Sequence, residues 1–254
     1  MEKQLIAERF ARARKTYDRE ARVQYKAAER MLRLLQPHIK RTGLDILEVG
    51  CGTGIYSRLL RQEFQPSELW LNDLCPEMEQ SLQDLLGQPH VHFLPGDAET
   101  LRMPPRIHVI TSCSTLQWFS QPQQFFRQCQ DILPPNGILA FSTFGPQNLQ
   151  EIRTITGHGL HYFTTHEWGA MLPPSLRLRH ISEETATLHF PTPTDVLRHL
   201  KLTGVTGTEK RIWTRTHLQA FAENYIRLFG QADGQVTLTY HPIYIIAQKA
   251  DDGL

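Results

Sequence analysis

The chain has 254 residues, 40% hydrophobic and 21% charged, with 27 Lys/Arg against 26 Asp/Glu, the make-up of an ordinary globular protein with one core. No apolar run approaches the roughly 20 residues of a membrane helix, and the charged start MEKQLIAERFARARK lacks the apolar centre of a secretion signal, so a soluble, cytoplasmic protein is predicted. The four cysteines, Cys51, Cys75, Cys113 and Cys129, form no C-x-x-C pair and read as reduced thiols.

Residues 1–41 are basic, with 12 Lys/Arg against 5 Asp/Glu. Within them Ile6, Phe10, Ala13, Tyr17, Ala21, Gln24, Ala28, Met31 and Leu35 recur at steps of three or four, which predicts an amphipathic helical arm, one helix or two. Its cationic face is either solvated or turned to an acidic partner. From 44 to 145 short β-rich runs alternate with helical stretches. Strands are predicted at 44–49, 68–73, 91–94, 107–112 and 137–143, and helices near 55–64, 76–86 and 121–132. Residues 185–190 and 236–248 read as two later strands, separated by helices near 194–201 and 216–229.

This alternation predicts an α/β fold, a Rossmann-like, doubly wound, seven-stranded sheet in one domain. Its parts are the helical arm 1–41, a cofactor-binding core 44–145, a lid-like insertion 146–176 rich in Gly, Pro and His, and C-terminal strands with substrate-side helices over 177–254.

The first strand runs into LDILEVGCGTG. A dinucleotide fingerprint needs glycine where Ile55 stands, and Glu48, two places before Gly50, would repel a pyrophosphate. The string Glu48-x-Gly50-Cys51-Gly52-x-Gly54 suits a cationic ligand, and S-adenosylmethionine, with its sulfonium and ammonium groups, is one. Asp73 ends the second strand, where a carboxylate can accept both ribose hydroxyls, and Leu74 can pack on the adenine. After the third strand, Asp97 can accept the adenine amine and the Ala98 amide can donate to a ring nitrogen. Alone, Asp73 reads as a helix N-cap and Asp97 as a turn former. In order, at the ends of successive strands, they read as one site.

The motifs LEVGCGTG, LNDLCPEM and GDAETL resemble the cofactor motifs of class I S-adenosylmethionine-dependent methyltransferases. Phe10-x-x-Ala13-x-x-x-Tyr17-Asp18-x-x-Ala21-x-x-Gln24, Leu116-Gln117-Trp118, Leu200-Lys201-x-Thr203-Gly204-Val205-Thr206 and Leu238-Thr239-Tyr240-His241-Pro242-Ile243-Tyr244 resemble, within that class, the malonyl-[acyl-carrier-protein] O-methyltransferase family of biotin synthesis. That resemblance implies methylation of the free carboxylate of malonyl-acyl carrier protein, an acidic transient partner, or of malonyl-CoA. A small-molecule carboxyl or other O-methyltransferase of the same fold, or a non-catalytic S-adenosylmethionine-binding protein, remain as alternatives.

A carboxylate with a pKa near ~4 is already ionised at neutral pH, so no catalytic base is expected and catalysis reduces to positioning. Candidates for substrate contact are Tyr17, Gln117, Trp118, Arg153 for the malonyl carboxylate, Lys201 for the carrier, and His241. Arg198, Lys210 and Arg211 add to the cationic surface near Lys201, and each basic residue also reads as an ordinary exposed side chain. His158, His161 and His166 lie in a stretch without helix or strand order to fix ligand geometry, so no metal is expected. No aromatic-interleaved basic patch points to nucleic acid, and a monomer is expected.

Overall fold

In the computed structural model, which describes residues 3–40, 42–205 and 214–251, the basic arm forms two helices, α1 (Lys3–Glu20) and α2 (Arg22–Leu35). They break at Ala21, whose backbone (φ −80°, ψ 45°) leaves the helical region. The two halves differ in kind. α2 buries Val23, Ala27, Ala28, Met31 and Leu35, whereas among hydrophobic residues of α1 only Ile6 and Ala13 are buried.

There follow β1 (Asp45–Val49), α3 (Ile55–Phe64), β2 (Glu68–Asp73), the single-turn α4 (Gln83–Leu86), β3 (Val91–Pro95), β4 (Val109–Cys113), α5 (Pro122–Ile132) and β5 (Ile138–Phe144). The chain continues through α6 (Gln150–Thr156), α7 (Thr165–Met171), β6 (Leu176–Glu183), β7 (Ala186–Phe190), α8 (Pro193–Leu202), α9 (Arg215–Phe229), β8 (Val236–Tyr240) and β9 (Pro242–Lys249). The main sheet has seven strands in the order β3-β2-β1-β4-β5-β9-β6, with β1 to β5 parallel and β9 antiparallel to both neighbours. The order reverses between β1 and β4, so the loops after these strands diverge and leave a crevice at their carboxyl ends.

Alternate side chains of β1 face opposite sides of the sheet. Ile46 packs with Met31, Leu35 and Leu60 under α2 and α3. Leu47 packs with Phe125, Phe126, Phe141 and Trp168 under α5 and α7. Burying one such side chain is worth about 1.5–3 kcal/mol, so β1 is held from both faces. A third cluster, with Val196, Tyr225, Leu238, Tyr240, Phe144 and Tyr162, joins α8, α9 and the pair β7–β8 beyond the carboxyl ends of the sheet.

The sheet has the predicted number of strands, but two of them differ. Residues 185–190, expected in the main sheet, instead form β7, which pairs only with β8 in a separate two-stranded sheet. The seventh place is taken by β6, which has no counterpart among the predicted strands. β6 is an edge strand with mostly exposed or half-exposed side chains (LRLRHISE), and Arg177 and Arg179 blunt that edge, so its apolar signal is weak. The run 236–248 breaks at His241: its N–H donates to Asn148 Oδ1 (3.3 Å) and its carbonyl accepts from Gly145 N–H (2.7 Å). Pro242 then has no donor for the ladder.

The stretch 146–176 holds α6 and α7, and His166 lies inside α7, where the sequence reading gave the histidine segment no order. A Thr164–Glu167 capping box starts α7, and Trp168 anchors it in the second core. No described helix is long and apolar enough to cross a membrane.

Candidate active site

The glycine loop turns because β2 grips it. Gly50 N–H and Cys51 N–H both donate to Asn72 O (2.8 and 2.9 Å), and Gly52 N–H donates to Asp73 Oδ2 (2.8 Å). Gly50 sits at φ 72°, and a Cβ there would lie 2.2 Å from Thr115 Oγ1 on the loop after β4, so only glycine fits. Gly54, also left-handed, starts α3. Asp73 Oδ1 takes the Cys75 N–H (2.8 Å), and Asn72 Nδ2 donates to Leu94 O and Gly96 O (2.8 and 2.9 Å), which ties the turn after β3 to the end of β2.

These loops line an open crevice. Its lining includes Glu48, Gly50, Cys51, Gly52, Asp73, Leu74, Asp97 and Ala98, eight of the nine residues predicted around the cofactor; Gly54 stands beside it at the start of α3. Glu48 is fully buried, its Oε2 has no hydrogen-bond partner, and burial pushes its carboxyl up to about 8, with Asp73 adding and Ser57 and Arg58 opposing. Burial also raises Asp73 to about 6, against the two backbone N–H groups that it accepts. A buried carboxylate oxygen without a donor is costly unless a cation or donor meets it. Cys51, Cys75 and Cys113 share the lining, and burial pushes each thiol up, Cys75 to about 12, so all three are neutral at physiological pH.

α1 lies across the crevice mouth, and no sequence signal singled out its ties. Lys3 Nζ pairs with Asp97 Oδ2 (2.5 Å) and with Glu99, whose own carboxylate accepts Ser120 N–H (3.0 Å) and Gln121 N–H (2.5 Å). Burial works to lower the Lys3 pKa, but the bonds and charges of Asp97 and Glu99 outweigh it and raise it. Arg14 reaches Ser81 Oγ (3.2 Å) and Gln80 Oε1 (2.9 Å), Thr53 Oγ1 bonds Asp18, and Thr16 Oγ1 donates to Leu202 O (2.9 Å). Asp97, expected to face an adenine amine, is thus also the anchor of Lys3.

Beside the crevice lies a tight annex. The two share Phe10, Tyr17, Gln24, Ser114 and Trp118; Gln117, Asn148, Tyr162 and Tyr240 also line the annex. Phe10 meets Trp118 edge-on at 5.7 Å and Tyr17 at 6.3 Å. Of the predicted substrate residues, Tyr17, Gln117 and Trp118 therefore come together. Gln117 is held in place, donating to Ser114 O (2.6 Å) and accepting from Thr143 Oγ1 (3.2 Å).

The three basic candidates lie elsewhere. Arg153 Nη2 donates to Pro146 O, and its guanidinium stands 5.4 Å from the centre of the Tyr162 ring. Lys201 is exposed near the end of α8. His241 is buried, its Nδ1 accepting from Gln147 N–H (3.2 Å) and its Nε2 facing Glu183 (3.4 Å); burial lowers its pKa against that carboxylate. None of the three lines either cavity. Lys210 and Arg211 lie outside the described residues.

A model described as a methyltransferase domain matches residues 47–141, the span from β1 to β5. A malonyl-[acyl-carrier protein] O-methyltransferase of Bacteroides helcogenes is 51% identical over 99% of this chain and 100% of its own length. The Haemophilus influenzae protein of the same name is 40% identical over 98% of this chain and 95% of its own. The chain belongs to the malonyl-[acyl-carrier protein] O-methyltransferase family. Its methyl donor is therefore S-adenosylmethionine. A Bacillus halodurans protein crystallised as a candidate methyltransferase superposes with a TM-score of 0.64 at 17% identity, over 87% of this chain and 98% of its own, which shows the fold alone.

Proposed function

We propose that this protein transfers a methyl group from S-adenosylmethionine to the free carboxylate of malonyl-acyl carrier protein, or malonyl-CoA, giving the methyl ester that enters biotin synthesis. The reading rests on similarity over the whole chain to relatives of that name, joined to a crevice that suits a cationic donor. The fit turns on Glu48, a buried carboxylate with an unpartnered oxygen on the crevice wall. The donor would be held by Glu48 against its positive charge, by the backbone of Gly50, Cys51, Gly52 and Gly54, by Asp73 at the ribose, and by Leu74, Asp97 and Ala98 around the adenine. When bound, it supplies an electrophilic methyl on a positively charged sulfur.

The protein's own part is positional. The acceptor carboxylate is the nucleophile as it stands, so no side chain need remove a proton. Tyr17 and Trp118, on the wall common to crevice and annex, hold the two reactants within attack distance, and α1 keeps bulk water out of a step in which opposite charges disappear.

The test is a substrate panel. With S-adenosylmethionine, malonyl-acyl carrier protein should gain one methyl by mass spectrometry, while acetyl-acyl carrier protein and free malonate gain none. Methylation of free dicarboxylates at equal or higher kcat/KM would assign the protein to small-molecule carboxyl methylation instead.

A further inference from the structure

We infer that the acceptor carboxylate is received in the annex by uncharged donors, with the Trp118 indole N–H as a direct contact, and that no cation touches it. The inference deepens the malonyl reading above and rests on it. Among the described residues, no Lys, Arg, His, Asp or Glu lines the annex, whose walls are aromatic, aliphatic, amide and hydroxyl groups. Among the described residues, an anion that enters this space meets no full positive charge on its walls.

The space does hold donors. Trp118 belongs to the wall shared by annex and crevice, and its Nε1 is buried with no hydrogen-bond partner. An indole nitrogen can only donate, so a buried, unpartnered one calls for an acceptor. The Tyr162 hydroxyl accepts from Asn148 Nδ2 (2.9 Å), which leaves its own proton to give. Tyr162 and Gln24 are both more than nine-tenths buried, and the Gln24 amide oxygen has no donor. A half-turn of that amide presents its NH2 to an anion in place of the oxygen.

Among the described residues, the cations nearest the annex and crevice have other partners. Arg153 gives Nη2 to Pro146 O and stands against the ring of Tyr162, outside the annex lining; its Nε is buried without a partner, which is why Arg153→Met belongs in the test. On the crevice side, Lys3 is tied to Asp97 and Glu99, and Arg14 to Ser81 and Gln80. The chemistry favours this arrangement. The carboxylate loses its charge as its oxygen bonds to the methyl carbon, the carbon–sulfur bond breaks and the sulfur keeps the electron pair. A guanidinium would bind the anion more tightly than the transition state and hold the barrier up, since only interactions stronger in the transition state accelerate the step. Neutral donors still prefer a carboxylate to a methyl or hydrogen at that position, and they release the neutral ester.

Trp118→Phe and Tyr162→Phe, each removing one donor and keeping the ring, test this in the full-length protein. Each should lower kcat/KM for malonyl-acyl carrier protein at least tenfold, mainly through KM, while the calorimetric Kd for S-adenosylhomocysteine stays within twofold and the melting temperature is kept. Arg153→Met should lose less activity than either. The inference is overturned if both phenylalanine variants stay within threefold of wild type. It is equally overturned if S-adenosylhomocysteine affinity falls in step with turnover, or if folded Arg153→Met alone abolishes transfer. Absence of turnover in the wild type would defeat the substrate reading and this inference with it, whereas normal wild-type turnover with unaffected variants defeats this inference alone.

Discussion

In the proposed reading, Glu48 meets the donor's positive charge and gives its binding a pH dependence. Burial raises it to about 8 and Asp73 to about 6, so both carboxyls lie above their ordinary values and favour the folded chain when protonated. Their contribution to the ligand-free fold is complete below about pH 4 and is lost as pH rises through about 6 for Asp73 and about 8 for Glu48. Glu48→Gln should therefore match the wild-type melting temperature at pH 4–5 and exceed it increasingly up to pH 8. Binding of a cation favours ionised Glu48, so wild-type affinity for S-adenosylmethionine should gain over that of Glu48→Gln between pH 6 and 8, by at most about tenfold per unit. Calorimetry over that range checks it, and parallel profiles would remove Glu48 from the role. Gly50→Ala should abolish S-adenosylmethionine binding, because its Cβ collides with Thr115; retained binding would show that the loop can shift. That Glu48, Gly50, Gly52, Asp73 and Asp97 gather around one crevice was legible in the sequence, because each sits at a fixed offset from a strand end. That Gln24, Tyr162 and Tyr240 line one annex was not legible, because their meeting depends on packing between segments far apart in the chain.

Over its 18 residues α1 buries only Ile6 and Ala13, and it is held across the crevice mouth by polar ties. The amphipathic stripe, with Tyr17 on it, is legible in the sequence, but the break at Ala21, which separates a core helix from a covering one, carries no Gly or Pro to announce it. The ion pairs of Lys3 are about a quarter exposed on the lysine side and partly screened by water. Lys3→Met should therefore weaken S-adenosylmethionine binding only about two- to fivefold, equivalent to about 1 kcal/mol or less, and speed amide exchange in α1 while leaving α2 protected. Exchange rising equally in both helices would mean that they act as one unit. β6 escaped prediction for an opposite reason: it is an edge strand fixed by its partner β9 and has little apolar periodicity of its own.

The molecule as a whole reads from its sequence most clearly where it is most regular. The alternation from 44 to 145 is the first five strands and their helices, and buried runs such as β5 leave little room for another assignment. The two-stranded β7–β8 unit could not be told from further sheet strands by periodicity, because whether a strand adds to one sheet or founds another is decided by tertiary packing. A ligand that bridges crevice walls drawn from α1 and from the loops after β1 to β4 should stabilise the entire fold. At a hundredfold excess over Kd, S-adenosylhomocysteine should add about 2.7 kcal/mol, a rise of roughly 5–10 °C in melting temperature for a chain of this size. The most direct measurement follows the methyl group itself: S-adenosylmethionine labelled in its methyl carbon is incubated with malonyl-acyl carrier protein and either wild-type protein or Gly50→Ala. The label should appear as a methyl ester on the malonyl carboxylate with wild type and be absent with the variant; label that stays on the donor with wild type, or that reaches the carrier without the malonyl group, contradicts the account.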